Sequence, residues 1–285
     1  MGHLALLGAA ALWGLIGPVS RLAFREGLAP LEVAFFRAAL AWPLFLAHAL
    51  WQKRVRVRAR DLLFFVPFGF VGITAFYGAY QLAIRFGGAA LAAVLLYTAP
   101  IWVALLAPWL LGERLTPRTA LATALAFLGV ALVSNPRDAN FHPLGLGFGL
   151  LSGLAYALYY LWGKRFLARY PIPQVFAYAL PVGAAALLPL VEFHSKSLLA
   201  WGALVFLAVF CTYGAYTLYF AGLRRLPATR AVILATLEPV IAALVARAWW
   251  GETLSPTRIV GAALILGAAL LGSRGAACRR GGRGI

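Results

Sequence analysis

The 285-residue sequence predicts an all-α polytopic membrane protein, with ten transmembrane helices arranged as two inverted five-helix repeats. Three observations predict it: an apolar composition, ten stretches of spanning length, and an internal duplication. Hydrophobic residues make up 63% of the chain and charged residues 12%, and the mean hydropathy is +0.87. Polar atoms this scarce do not cover a water-facing surface, so the bilayer is the solvent that fits. Between Ala89–Ser134 and Ala228–Ser273, which lie 139 residues apart, 15 of 46 positions are identical without a gap. Frequent Ala and Leu alone would give roughly half of that by chance. The matches of Pro100 with Pro239, Gly112-Glu113 with Gly251-Glu252, and Ser134 with Ser273 owe nothing to that bias.

Crossing the hydrocarbon takes about 20 mostly apolar residues, with roughly 17 as the short limit. Charge clusters and Pro/Gly signals divide the chain into spans near 4–20, 31–51, 62–84, 88–111, 118–135, 144–163, 173–191, 198–221, 228–250 and 256–273. The first begins after Met1-Gly2-His3 with no preceding Lys or Arg, so it reads as a membrane helix and not as a secretory signal. Pro30 opens the second, which stops before Lys53; the third comes after Arg60-Asp61 and stops at Arg85. Gly88 and Gly112 bound the fourth, and Pro117 opens the fifth. The sixth runs from Pro143 to Lys164-Arg165, the seventh from Pro173 towards Glu192, and the eighth from Leu198 to Arg224. Pro227 precedes the ninth, which stops at Gly251-Glu252, and Pro256 opens the tenth. The fifth and tenth are among the shortest and contain almost nothing polar, which suggests packing.

With ten spans both termini share one side. That side receives 17 of the 25 Lys and Arg residues, among them Lys53, Arg54, Arg56, Arg58, Arg60, Lys164, Arg165 and Arg169; the other side receives 7. Basic loops stay cytoplasmic, so both termini are expected on the cytoplasmic side of the cell membrane. The net charge of +17 is accordingly read as an anchor on anionic lipid and not as a nucleic-acid surface, since no aromatic residue interleaves the clusters. Five spans per half turn the second half upside-down relative to the first. The expected division is 1–137, 138–275 and a basic cytoplasmic tail at 276–285. The front of each half matches at an offset of 143, setting Trp13 opposite Tyr156 and Arg21 opposite Lys164, and the change of offset predicts a longer connection between spans two and three than between seven and eight.

Glu238 is the sharpest site candidate. It stands near the bilayer centre in the ninth span, where a carboxylate costs about 2.5–3.5 kcal/mol and needs water, a partner or a proton. Pro239 after it and Pro100 in the fourth span remove backbone hydrogen bonds and are candidate hinges. Arg37 in the second span is open to three roles: pairing with Glu238, clamping a substrate carboxylate, or anchoring the helix end. Tyr77 and Tyr80 fall opposite Tyr216 and Tyr219 at offset 139, and a spacing of three puts each pair on one helix face. Phenols in lipid need hydrogen-bond partners, so the duplicated pairs suggest a polar wall that Trp13, Tyr156, Tyr159 and Tyr160 extend; packing is the competing explanation for each singly. Capping and loop salt bridges account for Gly112-Glu113 and Gly251-Glu252.

Leu12-Trp13-Gly14, Phe36-Arg37, Ala99-Pro100 through Gly112-Glu113-Arg114-Leu115, and Leu237-Glu238-Pro239-Val240 through Gly251-Glu252-Thr253-Leu254, in this order in a duplicated ten-span chain, resemble the drug/metabolite transporter superfamily, and within it the EamA branch. That resemblance covers essentially the whole chain. It implies secondary, non-ATP transport of small metabolites by alternating access, often export of amino acids or related compounds. It also implies a central cavity lined by spans one to four and six to nine. An enzyme is not expected, because the eight acidic residues are scattered, and no ATP-binding signature, metal-ligand cluster or cofactor motif occurs. A non-transporting scaffold or sensor is the alternative, and a homodimer through the plain fifth and tenth spans stays open with no motif behind it. The expected partners are therefore a small-molecule substrate and the lipid bilayer.

Overall fold

The computed structural model describes residues 1–134 and 141–273. The tail from 276 onward, with Arg274 and Arg137, lies outside the described residues. Among these, secondary structure is helical throughout, and ten apolar helices run in order: α1 (Gly2–Arg25), α2 (Pro30–Trp51), α3 (Ala59–Gly88), α4 (Ala90–Leu111), α5 (Pro117–Val133), α6 (Pro143–Phe166), α7 (Ile172–Leu190), α8 (Leu198–Leu223), α9 (Ala228–Trp250) and α10 (Pro256–Ser273). Nine of them are long and apolar enough to cross a bilayer outright, and α5, at 17 residues, sits at the short limit.

Local chemistry sets the boundaries. Thr116 Oγ1, His142 Nδ1 and Ser197 Oγ each accept the backbone N–H that the first turn of α5, α6 or α8 leaves free. Proline begins α2, α5, α6 and α10, where its missing N–H costs nothing. Gly112 and Gly251 end α4 and α9 with the same left-handed geometry, φ 67° and ψ 19°. A further Gly, Gly88 at φ 80°, turns α3 into α4.

The packing carries the duplication. α1 packs on α8 as α6 packs on α3, and α1 on α9 as α6 on α4; α2 pairs with α7, and α5 with α10. Exchanging the halves maps each of these pairings onto its counterpart, or onto itself for α2–α7 and α5–α10, as a two-fold relation requires. Aromatic side chains fill the middle, with Tyr159, Tyr160, Tyr219, Phe68, Phe176 and Phe220 fully buried, while Leu63, Leu105, Trp109 and Leu270 face outward.

One expectation fails. The α2–α3 and α7–α8 connections, 52–58 and 191–197, are the same length. The extra residues of the first half lie inside α2, which has 22 residues against a 16-residue α-helix and a three-residue 3-10 turn in α7. The sequence offset shows that residues were added but cannot say whether a helix or a loop absorbed them.

α5 and α10 touch backbone to backbone. A Cβ placed on Gly261 would stand 2.6 Å from the Gly129 carbonyl oxygen, closer than van der Waals contact allows. Gly261→Val is expected to lower the thermal midpoint of the detergent-solubilised protein, at a cost of about 1–3 kcal/mol from overpacking. Gly267→Val, whose Cβ would meet open space, should leave it unchanged.

Candidate functional site

The spanning helices that meet at the centre are broken there. α4 stops at Leu96 and resumes at Ala99; α9 stops at Ala235 and resumes at Glu238. Pro100 and Pro239 cannot donate to the carbonyls four residues back, which belong to Leu96 and Ala235, so each first half-helix ends where its proline forbids the next bond. Thr98 Oγ1 donates to the Leu95 carbonyl and Thr236 Oγ1 to the Ile233 carbonyl, both at 2.6 Å, beside the backbone amide of the same threonine, so the two breaks are tied down alike. Glu238 is the first residue of the second half of α9, so the free amides and the positive end of that half-helix lie under its own carboxylate. α1 is also interrupted, at Leu15. Its Gly14 lies so close to α9 that a Cβ would meet the Glu238 carbonyl oxygen at 3.0 Å and Ile241 at 2.7 Å.

α3 and α8 bring in the tyrosines through a second repeated feature. Both widen into π-helix, at Phe70–Ala75 and Leu207–Gly214, immediately before Tyr77/Tyr80 and Tyr216/Tyr219. The extra residue per turn rotates the next stretch of helix towards the seam. There the Tyr77 and Tyr216 hydroxyls share a hydrogen bond of 2.9 Å across 139 residues of sequence, each with its own repeat counterpart. Trp13 packs on Tyr216 and Tyr219 with centroids 6.1 and 4.9 Å away, and Tyr219 on Tyr160 at 4.9 Å. Tyr156 stacks on Phe76 at 4.5 Å and touches Tyr160 at 4.4 Å. Tyr160 and Tyr219 are completely buried, and among the described residues their hydroxyls meet no partner at hydrogen-bond geometry.

The two interior charges, Arg37 and Glu238, do not touch. Arg37 Nε donates to Thr212 Oγ1 at 3.3 Å, and its guanidinium lies 5.5 Å from the Tyr77 ring centroid. Electrostatic reach extends from Arg37 to Glu238, but among the described residues Glu238 joins no ion pair. The direct Arg37–Glu238 pair considered from sequence is therefore not formed. Tyr80, Tyr97 and Tyr156 lie within electrostatic reach of the carboxylate. Glu238 and Tyr80 are only half-buried at a depth where Tyr97, Tyr156 and Arg37 are buried, so they border space their neighbours leave unfilled. All eight sequence-predicted residues thus converge on one seam. Sequence reasoning misses Tyr97: its counterpart is Thr236, which gives no aromatic match, and only the break in α4 turns it towards Glu238.

Both ends of the seam are crossed by ion pairs. Glu113 holds Lys164 at 2.6 Å and accepts the Ala228 amide at 2.8 Å, whereas Glu252 holds Arg21 at 2.8 Å and Arg258 at 3.7 Å. Glu113 and Glu252 are repeat counterparts, as are Lys164 and Arg21, so one ion pair has been duplicated and exchanged between halves. The side chains of the Lys164–Glu113 pair are 21% and 14% exposed, against 44% and 39% for Arg21–Glu252, but the Arg21 end also holds Glu32 and Lys196 paired at 2.6 Å and almost wholly buried.

Fold and seam together define a polytopic membrane protein of duplicated halves with a polar, aromatic-walled interior. The EamA-like transporter family model matches residues 1–135 and again 143–274, and the chain belongs to that family. An uncharacterized transporter of Archaeoglobus fulgidus is 33% identical over 261 residues, spanning 91% of this chain and 93% of its own. A protein of Streptantibioticus cattleyicolor named "Probable terminal-alkyne amino-acid exporter" is 29% identical over 234 residues, spanning 79% and 77%. A crystal structure at 20% identity superposes with a TM-score of 0.82 over 95% of both chains, a likeness of fold.

Phe replacements of Tyr77 and Tyr216, made singly and together, should give non-additive losses of thermal stability. The expected coupling is about 1 kcal/mol, the worth of one buried hydrogen bond, because the second replacement removes nothing further once the first has broken the pair.

Proposed function

We propose that this chain is a secondary transporter that exports small metabolites, amino acids or related compounds among them, by alternating access about the seam between its halves. Glu238, Arg37, Trp13, Tyr77, Tyr80, Tyr156, Tyr216 and Tyr219 are its substrate-contacting residues, with Tyr97 added. The observation that carries the proposal is the meeting, at one seam, of three broken helices, two π-widened helices and two opposite charges that join no ion pair among the described residues. A scaffold has no use for so costly an interior. Opposite charges held apart leave room for a solute that carries both, or that replaces one with a hydrogen bond.

Pro100 and Pro239 are the positions where each half bends, since the backbone there is already free of its helical bonds. The ion pairs open in turn, Glu252–Arg21 together with Glu32–Lys196 on one side and the exchanged Glu113–Lys164 pair on the other side. That side is the cytoplasmic one on the count of basic residues, with both termini on it and the repeats divided near residue 137.

In proteoliposomes, Glu238→Gln is expected to cut uptake about tenfold or more, the value of one charge-assisted hydrogen bond, and to remove any dependence on a pH gradient. Unchanged uptake with an unchanged gradient dependence would remove Glu238 from the mechanism. For orientation, green fluorescent protein fused at the C-terminus should fluoresce in cells, while alkaline phosphatase fused at the same point should be inactive.

A further inference from the structure

Two cavities adjoin at the end of the bundle that carries the N-terminus, away from the central seam. One, of about 350 Å³, is a mainly apolar slot between α3, α4 and α6, lined by Phe64, Pro67, Leu110, Trp162 and Phe166. The other, of about 600 Å³, is a polar cup formed by the α2–α3 connection and the segment after α6, lined by Arg56, Arg58, Arg60 and Arg169. Asp61, Arg169 and Tyr170 line both, so slot and cup are continuous. Arg165 stands at the mouth of the slot, its Nη1 donating to the Leu110 carbonyl at 3.3 Å.

The charges around the cup do not balance. Five arginines, at 56, 58, 60, 165 and 169, face a single carboxylate, Asp61. Asp61 is buried and already engaged, by Arg169 at 3.7 Å and by the Tyr170 hydroxyl. Burial and then that hydrogen bond raise the pKa of Tyr170, which keeps it a neutral donor. Among the described residues no carboxylate pairs with Arg56, Arg58, Arg60 or Arg165. Nor does the duplicated fold dictate the cup. At offset 139, Arg56, Arg58 and Arg60 fall opposite Ser195, Ser197 and Leu199, and at offset 143 Arg165 and Arg169 fall opposite Leu22 and Glu26.

We propose that slot and cup form one binding site for an anionic phospholipid, with the phosphodiester headgroup among the arginines and an acyl chain in the slot. Guanidinium groups bind phosphate oxygens with charge-assisted, frequently bidentate hydrogen bonds. Basic pockets between helices at a membrane face are suited to anionic headgroups. A soluble phosphate compound would satisfy the cup and leave the slot empty; a neutral lipid would fill the slot and leave four arginines uncompensated. Only an acidic lipid answers both. Phe64 and Leu63, at 58% and 75% exposure on the outer face of α3, lead from the slot to where the bilayer's acyl chains lie.

The test titrates the purified, delipidated full chain in detergent with dioctanoyl phosphatidylglycerol, dioctanoyl phosphatidylcholine and glycerol phosphate, reading affinity from the shift in thermal midpoint. Phosphatidylglycerol is expected to bind, and the other two to produce no shift at matched concentration. Arg56→Gln with Arg60→Gln should weaken phosphatidylglycerol at least about tenfold. Removing two charges elsewhere on the same side, Arg114→Gln with Arg225→Gln, should not. Leu110→Trp, which fills the slot and spares the cup, should also weaken the lipid. The proposal is overturned if glycerol phosphate or phosphatidylcholine binds as tightly as phosphatidylglycerol, if the control pair costs as much as the cup pair, or if neither the cup nor the slot variant changes affinity.

Discussion

A residue can hydrogen-bond its own repeat counterpart only where the axis relating the two copies passes between them. Tyr77 and Tyr216 do so at 2.9 Å, which puts the axis through the middle of the membrane-spanning bundle. In hydrocarbon a phenol without a partner is expensive, and each copy supplies the partner the other lacks. The remaining architecture is arranged around that point. The π-helical widenings of α3 and α8 aim these tyrosines, the breaks in α4 and α9 flank them, and Trp13 and Tyr160 pack against Tyr219 just beyond.

Broken helices at mid-membrane are tolerated only where protein or a cavity satisfies the freed backbone. Here Thr98 and Thr236 tie each break down with a second hydrogen bond to the preceding turn, and the start of the second half of α9 provides a positive end beneath Glu238. The carboxylate therefore sits where dipole, tyrosine hydroxyls and Arg37 all favour its presence, yet none of them neutralises it in an ion pair. This differs from the membrane surfaces, where Glu113 and Glu252 are fully engaged by Lys164 and by Arg21. Charges that hold the structure shut are paired at the ends, and charges left available stand in the middle.

Much of this is legible in the sequence. Span number comes from hydropathy and punctuation. Matched Pro, Gly and Glu residues reveal the duplication, and Tyr77/Tyr80 against Tyr216/Tyr219 mark the seam because identical residues at one offset must be related by the fold's symmetry. What escapes is backbone irregularity. No residue pattern distinguishes a π-helical turn from an α-helical one. Tyr97 is hidden for the same reason, since its direction depends on a helix break and not on helical periodicity. The four-residue change of offset points to a longer loop, although α2 absorbs it, because a longer helix and a longer loop leave the same trace in an alignment of the halves. The Gly-Glu ends read as caps; their exchange across the halves needs three dimensions to see.

The central claim is a passage at the seam that opens to each side in turn. Tyr80→Cys in a chain with Cys211 and Cys278 replaced by Ser places one thiol beside Glu238. Membrane-impermeant maleimide, applied separately to right-side-out and inside-out vesicles, then measures access to it from each face. Alternating access predicts labelling from both faces, at rates that a transported solute alters in opposite directions. Labelling from one face only, or from neither, would contradict the account.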